Sequence, residues 1–158
     1  MMNNLVAEYD RDFDAWIQQH IALLKQGKVN EIDVEHLIEE LEDMGRSNKR
    51  ELSSHFKILI AHLLKWQFQL RQLSNYRESW QGGSWQTTIV EQRFQIIDQL
   101  EESPSLKRQL LESAIKAYPK AVELAVKETG LAKSTFPNKC PYTIEQLLDE
   151  NFYPDPQD

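Results

Sequence analysis

The feature that most constrains this chain is a run of apolar residues at alternating four- and three-residue intervals: Leu52, Phe56, Leu59, Leu63, Trp66, Leu70 and Leu73. A strand buries every second residue, so this spacing fits only a helix, and one packed along nearly parallel neighbours. Ser47 reads as its N-cap, which predicts a central helix over about 48–73, some 40 Å long at ~1.5 Å per residue. Upstream, Tyr9, Phe13, Trp16, Ile17 and Leu24 recur at helical spacing and stop at Gly27, a C′ position. A second helix is expected from an N-cap at Asp33, with Val34, Leu37, Ile38, Leu41 and Met44 on one stripe and Gly45 closing it.

Downstream, residues 74–84 contain the Gly82-Gly83 pair, lose periodicity and read as a loop. A fourth helix is expected from Trp85 to Glu102. Ser103-Pro104 then reads as N-cap and N1 of a fifth, with a kink or fresh start at Pro119 and a stop at Gly130. Thr143-Ile144-Glu145-Gln146 is a capping box opening a short last helix. No period-2 run, hairpin dipeptide or repeat occurs. The prediction is an all-α, compact helical bundle of five main helices plus a short C-terminal one. It forms a single domain over 1–158, with an irregular tail from about 131 to 158 packed on it.

Composition narrows function. The 158 residues hold 18 Lys+Arg against 25 Asp+Glu, a formal charge of −7. That balance opposes wholesale coating of nucleic acid or an anionic membrane. One Cys excludes an intrachain disulfide and a Cys-based zinc site. The longest apolar run, Ile58 to Leu64, is too short to span a bilayer, and no basic-then-apolar leader opens the sequence. A reducing cytoplasm is the expected compartment.

Three clusters have the composition of a site. Bases interleaved with aromatics, Lys65, Arg71, Tyr76, Arg77, Trp80 and Trp85, have the composition of a binding surface, because Trp, Tyr and Arg anchor interfaces and stack on bases. The bland alternative pairs these bases with the acid-only stretch 31–43. Glu39 and Glu42 with His62 are the candidates for a metal site, since helical bundles ligate metals from facing helices, but no Glu-x-x-His pair is present. Arg50 and His55 resemble the Arg-x4-His motif of HEPN-type helical ribonucleases. Chance alone yields roughly half a match of this kind in a chain with this many Arg and His, so one match carries almost no information, and Glu51 would repel phosphate. Cys140 lacks a nearby base and reads as a packed side chain.

Several segments together resemble one family. They are Tyr9-Asp10-Arg11-Asp12-Phe13 with Trp16, Leu37 to Gly45, His62-Leu63-Leu64-Lys65-Trp66, Ser84 to Ile89 with Arg93, Ser103-Pro104-Ser105-Leu106, and Cys140-Pro141-Tyr142. Across nearly the whole chain this is similar to the domain-of-unknown-function 29 family, helical bacterial proteins best known from cyanobacteria. The resemblance implies an all-α fold and carries no catalytic residue with it. The expected function is therefore a non-enzymatic interaction or adaptor module without cofactors. Its partner would be a protein, with RNA as the alternative and self-association compatible with the sequence. The competing class is a helical-bundle enzyme, metal-dependent through Glu39, Glu42 and His62 or ribonucleolytic through Arg50 and His55.

Overall fold

A computed structural model describes residues 3–76 and 82–157. It is 81% helical, and no strand occurs among the described residues. The helices are α1 (Asn3–Arg11), α2 (Phe13–Lys25), α3 (Val34–Tyr76), α4 (Gly83–Glu102), α5 (Leu110–Thr129) and α6 (Ile144–Leu148). The chain divides into two compact units, Met1–Ser47 and Asn48–Asp158.

Two of the expected boundaries before residue 50 move, and both shifts have local causes. The first apolar segment is broken at Asp12, whose backbone leaves helical geometry (φ −150°, ψ 87°) while its side chain accepts the Ala15 N–H at 3.1 Å. An Asp oxygen competes with the helix carbonyls for that donor, so one helix ends and another starts. The expected break at Gly45–Ser47 does not form, and α3 runs unbroken for 43 residues. Gly45 keeps a negative φ, unlike Gly27, Gly82 and Gly130. A glycine inside a helix costs only about 1 kcal/mol relative to alanine. Arg46 pairs with Asp43 and with Glu42 on the adjoining turns, which favours continuing the helix past the glycine.

In the first unit, α2 closes in a Schellman motif. Gly27 sits at φ 72°, its N–H reaches the Leu24 carbonyl at 3.1 Å, and the Lys28 N–H reaches that of Leu23 at 2.9 Å. Trp16 is the buried aromatic of this unit. Asp33 caps α3 as expected, accepting the His36 backbone N–H at 3.4 Å.

In the second unit the α3 stripe is the core. Leu52, Phe56, Leu59 and Leu63 are fully buried, as are Ile60 and Leu64 beside them, so the helix is enclosed on more than one seam. Ile89, Ile96 and Leu100 of α4 join it, with the small residues Ala114, Ala117, Ala121 and Ala125 of α5. Gly82 caps α4 at φ 76°, where a β-carbon would lie 2.8 Å from the Trp66 ring, so only glycine fits. Pro104 opens a 3-10 turn (Pro104–Gln109) rather than the fifth helix itself, and Ser103 makes no side-chain cap. Helix α5 continues through Pro119 as one element. Ile115, whose carbonyl loses its donor there, lies on the exposed face, where water can serve it. The Thr143 capping box forms as expected, with Gln146 N–H to Thr143 Oγ1 at 3.1 Å and Thr143 N–H to Gln146 Oε1 at 3.0 Å.

Candidate interaction surface

Of the base-and-aromatic cluster, Lys65 faces inward. It is buried, its Nζ is ion-paired with Glu128, and it stands 5.0 Å from the centre of the Trp85 ring. The internal pairing weighed against a surface role therefore holds for Lys65, although its partner is on α5 and not in the acidic stretch. Trp85 is half-buried beneath that cation, and Arg71 is exposed. The Tyr76 side chain, Arg77 and Trp80 lie outside the described residues.

The Arg50–His55 pair does not converge, because five residues along a helix turn the side chains to different faces. Arg50 is exposed, whereas the His55 ring meets Gln92 Oε1 through Nδ1 at 2.8 Å and lies 3.7 Å from Glu51. Glu39 and Glu42 lie on the same helix as His62, twenty-three and twenty positions before it, and not on a neighbouring helix. The His62 Nδ1–H donates to the Ile58 carbonyl at 2.8 Å, and burial lowers its pKa by more than that bond raises it. Among the described residues no group of three or more His, Cys, Asp or Glu is placed to hold a metal ion. A cavity of about 560 Å³ is lined by Leu111, Ile115, Tyr118, Cys140 and Ile144 among others, and burial pushes the Cys140 thiol up, away from the thiolate a nucleophile needs.

The first unit also holds a polar network that joins residues far apart in sequence. Asp33 accepts from the Trp16 indole at 3.3 Å and from the His36 ring Nδ1 at 2.5 Å. Its own N–H donates to His20 Nε2 at 2.8 Å, so the His20 Nδ1 carries the proton it gives to the Trp16 carbonyl, also at 2.8 Å. The Tyr9 ring stacks on His36 at 3.9 Å, and its hydroxyl donates to Glu40 at 2.5 Å. That bond raises the Tyr9 pKa, so the phenol stays protonated. The available signal was Asp-x-x-His at a helix start, which sets a carboxylate beside an imidazole on the first turn.

This network carries a pH signature. Burial pushes the Asp33 carboxyl up, but the hydrogen bonds from the His36 ring and backbone and from Trp16 outweigh it, and the net shift is down from 3.8. The bond to Asp33 raises His36 above its ordinary 6.5, against partial desolvation. The Asp33 contribution is present above pH 3.8 and lost as pH falls through its lowered value. The His36 contribution is full below pH 6.5 and lost as pH rises through its raised one. The pair is therefore strongest between these two limits. Replacing His36 by Asn should lower the melting temperature at about pH 5.5 by more than at about pH 8.5. A pH-independent difference between variant and wild type in paired thermal melts would contradict it.

The most unusual surface is apolar. On the first third of α3, Val34, Ile38, Leu41 and Met44 are 52%, 49%, 58% and 62% exposed, and they lie along one face. Single exposed apolar residues are ordinary, whereas a contiguous stripe of them is less common. In the second unit Val90, Phe94 and Ile97 of α4 form a further exposed row. No helix among the described residues is long and apolar enough to cross a membrane.

These features define an all-α protein whose marked surfaces are apolar helix faces. Residues 8–153 match the family described as Domain of unknown function DUF29, and the chain belongs to that family. No curated protein and no solved structure matches it.

Proposed function

We propose that this protein is a non-enzymatic interaction module that docks a protein partner through the exposed face of α3. The observation that carries the reading is the row Val34, Ile38, Leu41 and Met44, about half or more exposed on one regular helix. A helix presenting apolar anchors at i, i+4 and i+7 is a recurrent way to bind another helix or a groove. Acids flank the row, Glu35, Glu39 and Glu42 among them, which disfavours a polyanion such as RNA and favours a protein.

A photo-crosslinking side chain placed at position 41 should give a discrete, RNase-resistant adduct in cells, whereas the same group at the exposed position 116 should not. Leu41→Lys should abolish partner binding and leave the melting temperature nearly unchanged, because exposed substitutions shift stability by about 0.5 kcal/mol or less. No adduct from position 41 in a folded protein would refute this reading.

A further inference from the structure

The partner can be inferred from how charge is distributed along the same helix face. On a helical wheel the apolar row Val34, Ile38, Leu41 is flanked on one side by Glu35 and Glu42, and further along that same side by Arg46 and Lys49. The flank thus changes from acidic to basic along the helix. Resting on the reading above, we propose that the occupant of the α3 face is a second copy of this chain, laid antiparallel along it.

Antiparallel, two-fold pairing brings the same flank of both helices together with their directions reversed. Glu35 and the first turns of one copy then lie beside the Arg46–Lys49 end of the other, twice per dimer. A parallel pair would instead set this flank against the opposite one, which carries Leu37 and Met44, and leave its charges without partners. The antiparallel pair sets Glu35 beside Lys49 twice for one approach of Glu42 to its copy near the axis, so the charges favour that orientation. Arg46 pairs with Asp43 and Glu42 within its own chain. Both pairs are exposed and contribute little, so they exchange readily for contacts across an interface. The apolar row supplies the attraction. Leu41 lies near the middle of the charge pattern, where a two-fold axis would bring the two copies of it together.

Sedimentation equilibrium of the full chain at micromolar concentrations should give twice the 18.6 kDa chain mass. Leu41→Lys should raise the dimer dissociation constant on the order of 100-fold, because the symmetry counts each substitution twice. The double variants Glu35→Lys with Glu42→Lys, and Arg46→Glu with Lys49→Glu, should each be monomeric alone and dimerise when mixed, which also shows that both are folded. A monomeric wild type overturns the inference, as does a dimer indifferent to Leu41→Lys or a mixture no stronger than its components. The two readings separate at position 41. An adduct to a different protein overturns only the self-pairing, whereas the absence of any adduct removes the docking face itself.

Discussion

Phe56→Ala is expected to destabilise the second unit by about 3–5 kcal/mol. The side chain is fully buried on the α3 stripe, among Leu52, Leu59 and Ile60, which are also fully buried, and the α4 and α5 faces packed on them. Truncation forfeits the transfer energy of the ring and leaves a cavity that three rigid helices cannot close, and both terms have the same sign. Urea denaturation followed by far-ultraviolet circular dichroism measures the loss. Phe94→Ala is the matched control: the same truncation on α4, at a site 69% exposed, should change stability by about 0.5 kcal/mol or less. Equal losses at the two positions would mean that α3 is not the core of its unit.

The second large effect is expected at Arg93. This arginine is 3% exposed, and its guanidinium ends the short α6 by donating from Nε to the Leu147 carbonyl at 2.8 Å and from Nη2 to the Gln146 carbonyl at 3.1 Å. It also lies 5.5 Å from the centre of the Tyr153 ring. A five-residue helix is far below the length that is stable alone, so α6 persists through its capping box at one end and this arginine at the other. Arg93→Met keeps most of the volume and removes the donors, stranding the Leu147 carbonyl and leaving that of Gln146 with only the Asp149 N–H at 3.3 Å, at a cost of roughly 2–4 kcal/mol. Burial lowers the pKa of this group, yet an arginine remains charged at any ordinary pH, so the loss should be pH-independent near neutrality. Hydrogen exchange localises it: amides at 144–148 should lose protection before those of α3. Arg93→Lys should recover only part of the loss, since an ammonium cannot span two carbonyls with a planar fork. Retained protection at 144–148 in Arg93→Met would refute the capping role.

The helices were legible in the sequence because their signals are local. The Leu52–Leu73 stripe, Gly27 at C′, the Asp33 cap and the Thr143 capping box each involve residues within a few positions of one another, and each is observed. The continuity of α3 was not legible. A glycine followed by a serine reads as stop and restart, and the outcome depended on small terms, a helix-interior glycine against the Arg46 pairs and the continued hydrogen bonding. The count of five long helices survives because two shifts offset: a break appears at Asp12 and another disappears at Gly45.

Sites were less legible than elements, because a side chain's role depends on partners distant in sequence. Lys65 looked like a surface base and is spent on Glu128, sixty-three residues away. Arg93 stood out only as part of a family resemblance, and its acceptors lie more than fifty residues downstream. Alone, the sequence determined the all-α class, several caps and the buried stripe of α3 from Leu52 to Leu63, since periodicity and capping are properties of neighbouring residues. Tertiary structure decided which polar groups are consumed inside and which apolar rows are left uncovered. Both depend on what packs against a residue, and in a folded chain that is set by contacts between segments far apart in sequence.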